Sequence, residues 1–422
     1  MVGKKILLLI KIFIKFINDY QNCCGMIVKP PIPFNAPLKY RLIRQLYFSS
    51  VASCNDLSEA LGKSLPHIAK SLYELIDEGF VVEKGYAPSN GGRPPLIYAL
   101  QPDRLYILSV AIDQLYTRIG VLDLSGQFLF PVETIELKLL NNKEALSILT
   151  KALVKVLGKM GRDRKKLIGA GFSMPGFVNT RSGINFTYLP TNSKESLRDY
   201  LERNLHLPVF IENDSSVLAL AELKMGLARG LQDVMVIDIG WGIGLGMVVN
   251  GTLFRGHTGY AGELSHIPIS ESNTLCECGK RGCLETEATL RVVATKAMEE
   301  IKAGKVSSLK PLENPEKMSE AIMAAANHGD QYAIELLTDM GFKIGKAIAI
   351  LIHIVNPELI ILGGRATEVG KVLLAPIQQA LNQYCIPRLS EHTDVRVSQL
   401  GHEASLLASA ALVMEKFGEI TP

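Results

Sequence analysis

Two stretches of this chain carry the same succession of strands. ILSVAID, TRIGVLD and QFLFPVE read as three consecutive strands, the second closing on Ser125-Gly126, and VMVIDIG, GLGMVVN and TLFRG repeat the meander further on. In each copy the first strand ends in an aspartate, Asp113 or Asp238, followed by a turn. Short apolar runs bounded by Gly, Asp and Ser are strand signals. A helix over 143–160 and the apolar strand KLIGAGFSM follow the first copy. Strands alternating with helices imply an α/β fold, and two copies of one unit imply duplicated halves facing each other across a cleft. At 422 residues the chain has room for two or three domains. The expected divisions are 1–28, 29–103, a first lobe over 104–225 and a second over 226–422, with the C-terminal helix packing back on the first lobe.

Residues 29–103 follow a different pattern. KYRLIRQLYF predicts a helix with Leu42, Ile43, Leu46 and Tyr47 on one face. Asn55 or Asp56 is expected to cap a second helix, DLSEALG, ending at Gly62. Ser64 is expected to cap a third, LPHIAKSLYELIDEG, with Pro66 in its first turn, a buried stripe of Ile68, Leu72, Leu75 and Ile76, and Gly79 as its stop. VVEKGYAPSNGGRPPLIYAL then predicts two short strands around a flexible tip. This layout is that of a winged helix-turn-helix DNA-binding domain. Ser64, His67, Lys70 and Ser71 present a polar, cationic face on the third helix. Arg93 in GGRPP is held on an extended backbone suited to a narrow minor groove.

Bulk charge adds nothing to that reading, since a net charge of +3 argues for neither nucleic acid nor membrane. The seven cysteines are odd in number and mostly scattered, which fits a reducing cytoplasm better than a secreted disulfide framework. MVGKKILLLIKIFIKFIN has a basic start and an apolar run, but Lys11 and Lys15 interrupt it and no small-residue cleavage site follows. Residues 1–28 are read as an over-extended start or tail, with Met26 an alternative initiator. An amphipathic surface segment and a true signal peptide are the alternatives.

Cys276, Cys278 and Cys283 fall within eight positions, with His266 ten residues before the first. Three thiolates and one imidazole satisfy tetrahedral zinc, and four protein ligands leave no open position, so the expected zinc is structural. CECGKRGCLE resembles the signature of the ROK family (repressors, open reading frames and sugar kinases). GELSH resembles its E-x-G-H element with Ser265 where glycine is usual, VFIENDSSVLALAE its aspartate motif, and VNPELIILGG its adenosine-side loop. With the helix-turn-helix pattern and GGRPP, the resemblance extends from Leu38 to the C-terminus and is to the family's transcriptional regulators.

The resemblance implies a two-lobed actin-like (ribonuclease H-like) ATPase fold and a sugar site made by Asn213, Asp214, Glu263, His266 and Glu285. His266 would then ligate zinc through one ring nitrogen and face the sugar with the other. It also exposes departures. The family's kinases read D-x-G-G-T where this chain has Asp113-Gln114-Leu115-Tyr116-Thr117, and G-T-G-x-G where it has Gly240-Trp241-Gly242-Ile243-Gly244. D-A-N becomes Asp214-Ser215-Ser216. Phosphoryl transfer needs small residues and backbone amides around the phosphates, so the expectation is a sugar-responsive regulator and not an enzyme. The partners implied are a DNA operator, a sugar or sugar-phosphate effector and a second or further copies of the chain (homodimer or homotetramer), with no membrane. The alternatives are a sugar kinase carrying a DNA-binding domain, with Asp214 as general base, and a non-catalytic protein whose sensor reads a partner protein.

Overall fold

The computed structural model describes residues 37–418 apart from 89–93, 192–193, 271 and 402. The expectations for residues 1–28 and for Arg93 lie outside the described residues.

The N-terminal unit comprises α1 (Pro37–Ser49), β1 (Ala52–Ser53), α2 (Cys54–Leu61), α3 (Leu65–Asp77), β2 (Val81–Tyr86) and β3 (Leu96–Leu100). Its sheet has the order β1-β3-β2. Leu42, Ile43 and Leu46 of α1 meet Leu57 of α2 and Ile68, Leu72 and Leu75 of α3 in one core, while Ile76 is only half-buried. The cap of α2 is Ser53, not Asn55 or Asp56. Ser53 Oγ accepts from the Asp56 amide at 3.3 Å and Asp56 Oδ2 accepts from the Ser53 amide at 2.8 Å. This reciprocal box needs partners three residues apart, which puts Asp56 inside the helix. Ser64 does occupy the cap position of α3, but its side chain makes no capping hydrogen bond.

The first lobe contains β4 (Tyr106–Ile112), β5 (Tyr116–Asp123), β6 (Glu133–Glu136), α4 (Ala145–Lys159), β7 (Leu167–Met174), the short pair β8 (Val178–Asn179) and β9 (Ile184–Asn185), α5 (Leu197–Leu205) and β10 (Val209–Asn213). After α6 (Asp214–Met225), the second lobe contains β11 (Val234–Ile239), β12 (Ile243–Val249), β13 (Thr252–Leu253), α7 (Leu290–Lys302), α8 (Pro315–Asn327), α9 (Gln331–Val355), β14 (Leu359–Gly363), α10 (Lys371–Tyr384), α11 (Pro387–Ser390) and β15 (Asp394–Val397). Helix α12 (Ala404–Glu415) follows.

The two five-stranded sheets have the same topology, β10-β7-β4-β5-β6 and β13-β12-β11-β14-β15. In each, an antiparallel meander is extended by two parallel strands on the side of its first strand. One expected strand is displaced. QFLFPVE does not form the third strand of the first meander; β6 begins only at Glu133, and Phe128 makes a single bridge to Leu122. Pro131 has no N–H to give a ladder, and the Phe128 ring lies where a Cβ on Gly120 would be, so its sequence-adjacent apolar residues fill space instead of pairing.

Two helices join the halves. Leu218 and Ala219 of α6 pack on Val234, Val236 and Val248 of the second sheet, although α6 follows the last strand of the first. Helix α12 packs on β4 and β7 of the first sheet, and α6 and α12 pack on each other. The N-terminal unit is not a separate body. Its core runs on through Ile107, Leu122 and Ile168 of the first lobe into Ala410, Val413 and Met414 of α12.

Candidate metal centre and sugar cleft

A 3-10 turn over Leu264–His266 brings His266 to a loop that folds back on itself between Cys276 and Cys283. The Cys276 amide donates to Lys280 O at 2.8 Å and the Gly279 amide to Cys276 O at 2.9 Å, a turn tight enough to aim the thiols inward. Gly282 has φ +76°, and a Cβ there would come within 2.9 Å of Ser270 O, so this turn requires glycine. The ligand atoms of His266, Cys276, Cys278 and Cys283 all lie within 4.8 Å of one another. Cys278 Sγ is 3.6 Å from Cys283 Sγ, and Cys276 Sγ is 3.7 Å from His266 Nδ1. A tetrahedron with bonds of about 2.3 Å has edges of roughly 3.8 Å. The donor set therefore fits zinc in number, chemistry and spacing. Burial and the crowding of Cys278 and Cys276 push the Cys283 thiol up to about 12, a cost that a divalent cation would reverse by binding the thiolates.

The cluster forms part of the wall of a cavity of about 870 Å³ between the lobes. All five residues expected to read a sugar, Asn213, Asp214, Glu263, His266 and Glu285, line it. Asn213 closes β10 and caps α6, accepting from the Ser215 and Ser216 amides at 3.1 and 3.2 Å. Its Nδ2 donates to Gly176 O at 3.3 Å. Asp214 Oδ1 accepts from the Ser215 amide at 2.8 Å. Glu285 accepts from the Ile243 amide at 3.4 Å. His266 turns Nδ1 to the thiols and Nε2 toward Glu263 Oε2, 3.9 Å away.

Burial governs the charges here. Desolvation raises the Asp214 carboxyl above its ordinary range and raises Glu263 as well. It takes Glu285 to about 7, and, with the charges of Asp214 and Asp113, Asp238 to about 7. The His266 ring is shifted down by burial and so favours its neutral, ligating form. Carboxyls, an amide and a neutral imidazole around one cavity are groups that pair with the hydroxyls of a polyol.

At the other end of the cavity the 113–117 loop turns its amides inward. The Leu115 and Tyr116 amides both donate to Asp113 Oδ1, at 2.7 and 2.6 Å. Two amide donors of this loop are therefore engaged by its own carboxylate. Trp241 lines the cavity beside Gly242. Gly244 serves packing, because a Cβ there would overlap Ser215 Oγ at the start of α6.

On the N-terminal unit, Ser64, His67 and Lys70 are exposed along the start of α3, and Ser71 is half-buried. Sequence reasoning missed the pair that holds the cleft's loop in place. Arg255, just after β13, reaches Glu212 Oε2 with Nε and Nη2, both at 2.7 Å, and Glu212 is buried beside Asn213. Phe177 and Tyr260 also line the cavity and were missed.

Duplicated sheets with a carboxyl-lined cleft between them define the actin-like, sugar kinase-like class of fold. The chain belongs to the ROK family, whose sequence pattern matches residues 109–416. It is 28% identical over 381 residues to the xylose repressor of Caldicellulosiruptor bescii, a match spanning 89% of this chain and 95% of that protein. A glucokinase of Halalkalibacterium halodurans is 34% identical over 269 residues, 63% of this chain and 82% of the kinase. A solved ROK family transcriptional regulator, a homologue of the E. coli MLC protein, is similar with a TM-score of 0.73 and 28% identity, spanning 92% of this chain and 96% of that one. A match over 92% of the chain has to take in residues ahead of 109, where the family pattern begins.

Proposed function

We propose that this protein is a sugar-responsive, DNA-binding transcriptional regulator, a repressor of carbohydrate genes that does not phosphorylate its ligand. The observation that carries this reading is the continuous core joining the N-terminal unit to the first lobe and α12. A unit so attached follows the lobe it sits on. Closing the cleft on a sugar would then re-aim the exposed start of α3 in an oligomer, a dimer or tetramer, that presents two such units to an operator. By linkage, a sugar that favours the closed form binds more weakly to the DNA-bound protein.

The N-terminal unit, with three helices and a two-stranded hairpin, is read as a winged helix-turn-helix, with Ser64, His67, Lys70 and Ser71 meeting DNA and Arg93 reaching the minor groove. His266, Cys276, Cys278 and Cys283 would hold a structural zinc. Its role is to fix the His266 ring, so that Nε2 faces the sugar beside Glu263. Asn213, Asp214 and Glu285 complete the set that reads the ligand. Among the described residues, no helix is long and apolar enough to cross a membrane, and a cytoplasmic protein is proposed.

The glucokinase relative and the position of Asp214 at the floor of the cleft are what favour the second reading, a sugar kinase carrying a DNA-binding unit. The test is a thermal-shift screen of sugars and sugar phosphates followed by operator binding with and without the hit. A ligand of the folded state raises the melting temperature, and here it should also release DNA. A hit that leaves DNA binding unchanged would refute the regulator reading.

A further inference from the structure

Three aromatic side chains stand together at the mouth of the cleft and none is explained by the core. Phe177 and Phe186 come from the first lobe, on either side of the β8–β9 pair, and are 37% and 64% exposed. Tyr260 comes from the second-lobe loop that also carries Glu263. Its ring meets Phe177 edge-on at 5.7 Å and Phe186 at 6.5 Å, so the cluster spans the two lobes. The Phe177 ring lies nearly parallel to the His266 imidazole, 24° between planes and 6.5 Å between centroids.

The backbone holds these rings rather than leaving them to drift. The Phe177 amide donates to Thr187 Oγ1 at 3.0 Å and the Phe186 amide to Phe177 O at 2.9 Å. Buried Asn185 ties the segment down, giving Nδ2 to Pro175 O and accepting from the Thr187 and Tyr188 amides, each at 2.9 Å. Leu189, just beyond, is held at φ +55°, a left-handed conformation that costs a branched residue energy and persists only where its surroundings dictate it. Exposed rings fixed on a rigid turn beside a carboxyl-bearing cavity mark a ligand surface.

We infer that Phe177, Phe186 and Tyr260 form a stacking subsite for the second ring of a disaccharide or longer glycoside whose first ring occupies the cleft. Pyranose rings present C–H faces that pack on aromatic faces, while their hydroxyls need polar partners. The interior of the cavity gathers the carboxyls, amide and imidazole that hydroxyls need, and this rim adds clustered ring faces. The rim is continuous with the cavity, through Phe177 and Tyr260, and ends in the largely bare ring of Phe186. This rests on the sugar-sensor reading.

The experiment is calorimetry of the full chain with glucose, xylose and N-acetylglucosamine, and with cellobiose, xylobiose and chitobiose. The wild type should bind one disaccharide about tenfold or more tighter than its own monosaccharide. Phe186→Ala should remove that gain and leave monosaccharide affinity unchanged, and Phe186→Leu, which keeps apolar bulk without a ring face, should remove most of it. Equal affinity for one and two rings overturns the inference while the sensor reading stands. So does a Phe186→Ala variant that dissociates the oligomer without altering either affinity, because the rim is then a contact between copies. If none of these six sugars binds, this inference falls, while the sensor reading is decided separately by the sugar-phosphate screen.

Discussion

The guanidinium of Arg365 lies 3.7 Å from the carboxylate of Asp113, joining the turn after Gly363-Gly364 in the second lobe to the end of β4 in the first. The same guanidinium stands 5.9 Å above the Tyr116 ring and 3.4 Å from Glu316. The lobes thus touch through side chains at the loop over 113–117, which the resemblance aligns with the first phosphate loop of the family's kinases. Purified protein should accordingly show no ATP-dependent phosphorylation of hexoses, N-acetylhexosamines or xylose in a coupled assay. Turnover at about 1 s⁻¹ or faster that disappears in Asp214→Asn would establish the kinase reading instead.

Zinc is the most direct chemical test. Metal analysis should give one zinc per chain, and Cys278→Ser should lose it together with several degrees of melting temperature. Because Cys278 is the exposed member of the set, its replacement removes a ligand with little loss of packing. Full stability in a zinc-free Cys278→Ser protein would rule out a structural metal.

Asp238 makes stability depend on pH in a defined direction. Its carboxyl titrates at about 7 in the folded chain against 3.8 as an ordinary aspartate, chiefly through burial. The folded state therefore holds a proton that the unfolded state has lost, so this group's contribution falls as pH rises from about 4 and levels off above about 7. Asp238→Asn should raise the melting temperature at pH 8 and give no gain at pH 4. An equal gain at both would show that the charge is not the cause.

Removing the Arg255 side chain strands a buried carboxylate. Glu212 is 2% exposed, and both of its contacts to Arg255 are 2.7 Å. Leaving a buried donor or acceptor unsatisfied costs about 1–3 kcal/mol, and more where the group is charged, so Arg255→Ala should cost at least about 1–3 kcal/mol in chemical denaturation. It should also weaken sugar binding, since the same loop presents Glu263. Glu212→Gln should be milder, because burial already raises that carboxyl toward its neutral form. The reverse order would mean that the pair contributes through something other than its charge.

On the DNA face, His67→Ala should cost about 1–3 kcal/mol on the operator and relax preference at one position per half-site. Lys70→Ala should weaken all sequences alike and lower the salt slope by about one. Titrations at several salt concentrations separate the two, and unchanged binding in both variants would remove α3 from the interface.

What the sequence disclosed and what it hid divide along physical lines. The cluster of His266 with three cysteines was legible because a short loop delivers three of its members, and the strand repeat because burial writes itself into every second or every residue. The cap at Ser53 was missed by two positions because Asn55 and Asp56 are good cap residues too, and only the backbone angle at Ser53 decides. Pro131 was present in plain view, yet the apolar run around it looked like a strand until Gly120 was seen to make room for Phe128. The Arg255–Glu212 pair joins residues with no shared motif. Nothing local announces a contact that exists only once two lobes meet. The aromatic rim was hidden for the same reason.

Helix α12, translated long after α1, sits in the core that α1 helps to build. Tyr40 of α1 meets Phe417 edge-on at 5.0 Å, and Arg44 donates to Glu415 O at 2.9 Å. The first sheet and the N-terminal unit therefore emerge with an apolar face uncovered, and it stays so until α12 has been synthesised. Contacts of such long sequence separation are slow to form, and a chain interrupted before α12 would expose that face to aggregation. The N-terminal unit, proposed to read DNA, has a core that is completed only once α12 is in place, so it cannot be deployed before then.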